Sequence, residues 1–229
     1  MSGPYPILEQ LLNQNQVWAK VVDESDPTFF QRTAEVQDPK VLWIGCCDSR
    51  VPESVILGCM PGQIFTHRNI ANQVQLDDPN GISALTYAIA ELGVEHIIVA
   101  GHTRCGGVAV CVDHAPDKAL AFNSVKESYS PKEPKETASW PPPSPLDVWL
   151  TPLRELAESQ PQPPTVLELV QINVKQQVLN AVQTEVVKDH WAGTGRGRLI
   201  GVHGWMYELE TGRVQDLDCS VYGSTYASA

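Results

Sequence analysis

Apolar residues recur along this chain with two different periods. Between Ile7 and Val22 they fall at Leu8, Leu11, Leu12, Trp18 and Val22 among amides, the spacing of one helical face, which predicts an amphipathic helix. A second helix is expected to begin near Asp26 and Pro27, where the carboxylate can cap and proline suits the first turn. Little else in the sequence would cover the apolar face of this N-terminal arm (1–36), so it is expected to embrace a second subunit. From residue 40 the pattern changes to short β-branched runs alternating with helical stretches. Lys40 to Cys46, Gln63 to His67 and His96 to Gly101 read as strands, with helices over Pro52 to Gly58 and Gly81 to Leu92. Continuous apolar strands separated by helices predict a parallel sheet covered on both faces.

Residues 113–145 interrupt this order with a charged, Pro-rich passage that ends in Trp140-Pro141-Pro142-Pro143-Ser144-Pro145 and reads as an exposed insertion. Helical spacing resumes from Asp147 to Glu158 and again from Thr165 to Lys188, with Leu167, Val170, Val174, Val178 and Val182 on one face. Arg198 to Tyr207 and Arg213 to Leu217 flank Glu210-Thr211-Gly212 as a hairpin would. The small, polar stretch 220–229 reads as a flexible tail. The expected fold is a single α/β domain over 1–229: a mostly parallel central sheet with an antiparallel edge strand, flanked by helices and preceded by an N-terminal helical arm.

A chain of 229 residues with 42% hydrophobic content can bury roughly 70% of its unfolded surface. Its formal charge of -11, with 16 scattered Lys and Arg, lacks the basic footprint that nucleic-acid binding requires, so no nucleic-acid partner is expected. The apolar runs are far shorter than the ~20 residues that cross a bilayer, so no membrane association is expected. The start MSGPYPILEQ has neither a basic, apolar secretory pattern nor Arg-rich import character. A cytoplasmic location is therefore expected, with the six cysteines reduced.

Two short segments stand apart from this packing pattern: Cys46-Cys47-Asp48-Ser49-Arg50 and His102-Thr103-Arg104-Cys105. Both follow predicted strand ends, where open α/β sheets place their sites. Alternation along an extended segment lets Cys46, Asp48 and Arg50 converge while Cys47 points away. Cys46 is thus the expected metal ligand, followed by a carboxylate that Arg50 can grip in a two-pronged hydrogen bond. His102 and Cys105 offer two further donors across one turn. Two thiolates and an imidazole favour Zn2+ over magnesium or calcium and leave a fourth position for Asp48 or a reacting water.

The segments Cys46-x-Asp48-Ser49-Arg50-Val51-Pro52, Pro61-Gly62 to Arg68-Asn69, Ala71-Asn72, Gly101-His102-x-x-Cys105-Gly106-Gly107 and His203-Gly204-Trp205 with Tyr207 together resemble the β-class carbonic anhydrases. The resemblance spans nearly the whole chain apart from the insertion and tail. It implies zinc held by Cys46, His102 and Cys105, with Asp48 and Arg50 as the catalytic pair. It also implies a substrate pocket of Gln37, Phe65, Ile70 and Tyr87, partly contributed across a dimer interface, and self-association as a dimer or tetramer. Trp43, Gly45, Arg68 and Tyr207 match positions that form a secondary bicarbonate pocket in some members.

The implied activity is zinc-dependent, reversible hydration of carbon dioxide to bicarbonate and a proton by attack of zinc-bound hydroxide. Held off the metal by Arg50, Asp48 would accept the hydroxide's hydrogen; swung onto zinc, it would gate the site shut. Hydrolysis of carbon disulfide or carbonyl sulfide, a noncatalytic zinc or bicarbonate sensor, and thiol redox chemistry at Cys46-Cys47 are the alternatives. His67, His96, His114, His190 and His203 read as packing or surface residues rather than proton relays. Cys47 occupies a place where the family commonly has a small polar residue.

Overall fold

A computed structural model of the chain describes residues 5–112, 144–194 and 198–223. Most of the Pro-rich passage, including His114, lies outside them. Its last two residues belong to a helix instead: Ser144 caps Pro145–Glu158 and exchanges hydrogen bonds with Asp147 in a capping box.

Among the described residues six strands form one sheet: β1 (Val41–Cys46), β2 (Ile64–Asn69), β3 (His96–His102), β4 (Gly201–Glu208), β5 (Arg213–Asp216) and β6 (Val221–Tyr222). Their order is β2-β1-β3-β4-β5, with β6 also paired to β4. The first four are mutually parallel, and β4 pairs antiparallel with β5 and β6. The antiparallel side therefore holds two strands rather than one. Asp218 adopts a left-handed turn (φ 51°), and the chain returns to lay Val221 and Tyr222 along Val202 and Gly201. Tyr222 packs edge-on against His203, with ring centroids 5.7 Å apart. Those two residues are thus sheet rather than tail, because Val221 packs against the main core and Tyr222 finds the His203 ring. Residues 224–229 lie outside the described set.

The helices are α1 (Pro6–Ser25), α2 (Phe29–Glu35), α3 (Glu53–Ile56), α4 (Pro79–Thr86) continuing as a π turn (Tyr87–Glu91), α5 (Gly106–Val112), α6 (Pro145–Glu158), α7 (Val166–Gln183) and α8 (Glu185–Trp191). The helix α5 was not anticipated from the sequence, and α2 and α7 are bounded differently from expectation. Asp26 ends α1, and its carboxylate accepts from the Thr28 N–H and pairs with Arg32, so α2 begins only at Phe29. The single helix expected from Thr165 to Lys188 is two, because Thr184 is extended (ψ 146°) and its hydroxyl donates to the Ala181 carbonyl at 2.7 Å. That local bond satisfies a terminal carbonyl and stops the helix.

The main core lies between the sheet and α7, where Leu42, Ile44, Ile97, Val99 and Val202 meet Val174, Val178, Leu85 and Ile89. A second cluster joins Cys46 and Cys105 to Leu150, Leu153, Leu169, Val170 and Met206. Trp43, Ile98 and Ala100 occupy the opposite sheet face with Trp205. The α7 helix lies so close to β3 that a Cβ on Gly101 would come within 2.7 Å of Val174 Cγ2. Among the described residues, no helix is long and apolar enough to cross a membrane.

Candidate metal centre

Parallel pairing of β1 and β3 brings Cys46 and His102 to the same C-terminal sheet edge. Arg104 then turns through the left-handed region (φ 54°), returning the chain so that Cys105 faces Cys46 before α5 begins. The ligand atoms of Cys46, His102 and Cys105 lie within 4.8 Å of one another, and all three residues are buried. The two sulfurs are 3.9 Å apart. Tetrahedral zinc with bonds of ~2.3 Å to sulfur spans roughly the same S···S distance.

The His102 ring faces its Thr103 carbonyl through Nδ1 at 2.9 Å. Its Nε2 is buried without a hydrogen-bond partner and lies 3.9 Å from Asp48 Oδ2. A buried, unsatisfied imidazole nitrogen aimed between two thiols is costly unless a cation completes the cluster, and the donor set fits zinc. Hydrogen bonding from the Cys105 thiol pulls the Cys46 thiol down to about 4 despite burial, assisted by His102 and by the backbone N–H groups of Asp48 and Ala71. The same bond, with burial, pushes Cys105 up. A bound cation would favour the thiolate form of both sulfurs.

Asp48 stands beside this cluster in a fixed pose. Its Oδ1 accepts from the Arg50 backbone N–H and Nε, each at 2.9 Å, and Oδ2 accepts from Nη2 at 2.6 Å. Hydrogen bonding to Arg50 holds the carboxyl well below the usual carboxylate range. Arg68 braces the backbone underneath, donating to the Cys46 carbonyl (2.8 Å) and the Asp48 carbonyl (2.6 Å). The Cys47 N–H continues the β2 ladder to the Asn69 carbonyl (2.9 Å). Its thiol is exposed and lines a cavity of about 440 Å³ with Asn69, Ile70 and Trp149. Burial pushes that thiol up.

Of the proposed pocket residues, Phe65 and Tyr87 stack with centroids 5.8 Å apart. Ile70 lies against the turn after Cys105, where a Cβ on Gly107 would fall 2.8 Å from Ile70 Cγ2. Gln37 is exposed between α2 and β1. Trp43, Gly45 and Arg68 share one sheet face in adjacent registers, while Tyr207 packs with the cluster around Cys46 and Cys105. The candidate relay histidines are engaged in packing. His96 Nδ1 and His203 Nε2 are 2.9 Å apart, and His203 Nδ1 meets the Ser220 hydroxyl at 2.9 Å. His190 accepts from the Leu199 N–H at 3.0 Å, and His67 contacts the Asn69 amide at 3.3 Å.

The sequence reading missed a second set of supports. Glu210, in the turn between β4 and β5, accepts from the Thr103 hydroxyl at 2.7 Å and pairs with Arg104. The Thr103 hydroxyl also accepts from the Leu209 N–H at 3.0 Å. Asn173, Gln177 and Asn180 project from α7 onto the segment after β2. Asn173 and Gln177 sit beside the valines of the apolar face, a break in its pattern that could have marked them.

A family profile described as carbonic anhydrase matches residues 41–214. A carbonic anhydrase of Emericella nidulans is 31% identical over 215 residues, covering 94% of this chain and 85% of its own. One of two tetrameric beta-carbonic anhydrases from Sordaria macrospora superposes with a TM-score of 0.73 at 30% identity, covering 95% of this chain and 100% of its own. A Coccomyxa beta-carbonic anhydrase in complex with acetazolamide gives 0.78 at 29% identity, covering 95% and 89%. Site, fold and similarity converge, and the chain belongs to the β-class carbonic anhydrase family.

Proposed function

We propose that this chain hydrates carbon dioxide reversibly, with zinc held by Cys46, His102 and Cys105 and with Asp48 and Arg50 as the catalytic pair. The observation that carries this reading is the buried Cys46–His102–Cys105 cluster with a carboxylate 3.9 Å from the imidazole nitrogen. When bound, zinc supplies Lewis acidity that makes a water ionise near neutral pH. Asp48, kept ionised by Arg50, accepts a hydrogen bond from the reacting water and aims its lone pair at the carbon. Phe65, Ile70 and Tyr87 provide the van der Waals walls that a small apolar substrate needs. One water and one carbon dioxide give bicarbonate, and the released proton passes to buffer.

The short distance between Asp48 Oδ2 and the His102 nitrogen supports a gating role as well. A swing of the carboxylate away from Arg50 would bring it onto the ligand cluster and close the site. Trp43, Gly45, Arg68 and Tyr207 remain the proposed bicarbonate pocket. The first three share a face, and Arg68 is already bonded to the backbone of Cys46 and Asp48, which links that pocket mechanically to Asp48.

Self-association forms part of the same reading. The α1 helix exposes Ile7, Leu8, Leu11, Leu12, Val17 and Val21, an apolar face suited to a second copy, and the Sordaria relative is described as tetrameric. The deciding experiment is stopped-flow proton release from carbon dioxide, carbonyl sulfide and carbon disulfide by reduced protein of known zinc content. Hydration of carbon dioxide at about one zinc per chain, with Asp48→Ala retaining zinc and losing turnover, is expected. Zinc-loaded protein inert towards carbon dioxide would overturn the reading.

A further inference from the structure

The segment from Ile70 to Val74 walls the metal site in an unusual backbone conformation. Ala71 and Asn72 both have left-handed dihedrals (φ 62° and 47°), and both are almost fully buried. Such a conformation persists only where its surroundings hold it. A single 3-10 turn over Ile70–Asn72 supplies part of its backbone hydrogen bonding, and side chains supply much of the rest. The Trp149 indole donates to the Ile70 carbonyl (2.9 Å) and the Asn173 amide to the Ala71 carbonyl (2.9 Å). Asn69 both donates to the Gln73 carbonyl (2.7 Å) and accepts from its N–H (2.8 Å). The Gln177 oxygen accepts from the Val74 N–H (2.8 Å), and the Asn180 amide donates to the Val74 carbonyl (2.9 Å).

The three α7 amides are bonded to one another, Gln177 Nε2 donating to Asn173 Oδ1 at 2.9 Å and Asn180 Nδ2 to Gln177 Oε1 at 3.0 Å. One amide ladder thus orients both peptide ends of the strained segment. The segment in turn presents Ile70 beside Gly107 and packs Ala71 into the cluster of Cys46 and Cys105. We infer that Asn173 and Gln177 are positioning residues for the reaction: touching neither metal nor substrate, they set the peptide plane of Ala71 and the place of Ile70. The same helix that supplies core valines therefore also shapes the outer surroundings of a ligand sulfur, the kind of support that tunes metal sites.

This inference rests on the metal reading of the site, and its test separates the two. Asn173→Leu keeps the bulk and removes the donor; Asn173→Ser removes less volume stress and serves if the first variant does not fold. Val178→Ala shortens a buried core residue on the same helix and leaves every amide of the ladder in place. At temperatures where all are folded, the Asn173 variants are expected to lose at least about tenfold in kcat/KM per bound zinc. Their cobalt-substituted forms should show a shifted sulfur-to-metal absorption band. Val178→Ala should melt earlier yet keep kcat/KM within about twofold and an unmoved band. Asn173 variants matching the wild type in both readouts would overturn the inference, as would Val178→Ala reproducing their losses. The cobalt band reports on the ligand sulfur whatever the substrate, so its response is independent of the carbon dioxide assay.

Discussion

Replacing Arg50 with lysine keeps a positive charge beside Asp48 and removes the fork that holds it. The native carboxylate accepts three hydrogen bonds from Arg50, at 2.9, 2.9 and 2.6 Å. An ammonium is a point donor, so the backbone bond survives and at least one side-chain bond is lost. A hydrogen bond between charged groups contributes about 1.5–3 kcal/mol when shielded from water. The Arg50 side chain is 52% exposed, so screening brings the loss down to about 1 kcal/mol. That corresponds to roughly fivefold in the preference of Asp48 for its outward pose. The released Oδ2 starts 3.9 Å from His102 Nε2, where the ligand cluster competes for it. Arg50→Lys should therefore lose activity, by up to about fivefold in kcat/KM by stopped-flow indicator assay, with zinc content unchanged by atomic absorption. Full activity in the zinc-loaded variant would refute this account of the pair, and so would a loss that merely tracks lost zinc.

Cys105→Ala should lose zinc and activity together, read by metal analysis and the same assay, because the remaining cysteine and histidine leave too few protein ligands for a stable tetrahedral site. Gly107→Val would drive a branched side chain into Ile70, whose Cγ2 lies 2.8 Å from the Cβ position; about 1–3 kcal/mol of stability should go, seen as a lower Tm, with KM raised through the displaced pocket wall. Asp147→Ala breaks the α6 capping box and should cost about 1–2 kcal/mol at neutral pH in urea unfolding. Hydrogen bonds from Ser144, then Arg154, lower the Asp147 carboxyl from 3.8 to about 2. Its contribution is therefore fully present above the unfolded value and disappears as pH falls through the folded one. The gap between wild type and variant should stay constant from pH 7 to about 5 and narrow by about half by pH 3.

The parallel half of the sheet was legible because β1 and β3 are continuous apolar runs, a pattern that only strands buried on both faces require. The proposed metal cluster was legible for a related reason: Cys46 and His102 each end such a run, so correct strands place them at the same edge. The last strand was hidden because Val221-Tyr222 is too short to show a period and is held by pairing with Gly201 and Val202 and by the His203 ring, which lie outside any local window. The break at Thr184 was hidden too, since valines continue the helical spacing through Val182 and Val186 while a side-chain bond to Ala181 stops the backbone.

The supports of the site were the least legible part, and topology explains why. Asn173 meets Ala71 across 102 positions and Glu210 meets Thr103 across 107, so neither pair has a sequence spacing that signals contact. The residues they hold, Ala71 and Arg104, are non-glycine residues in left-handed turns, a conformation that composition alone does not foretell. Both turns border the proposed ligand cysteines, one beside Cys46 and the other just before Cys105. Strand ends alone bring the donors to one edge, and two left-handed turns then close them around a common point. Each turn is unfavourable in isolation and is held from a distant element, α7 in one case and the β4–β5 turn in the other. The site is consequently assembled only when the whole domain is, and a weakened brace should show itself in the chemistry of the ligand sulfurs before it shows in the fold.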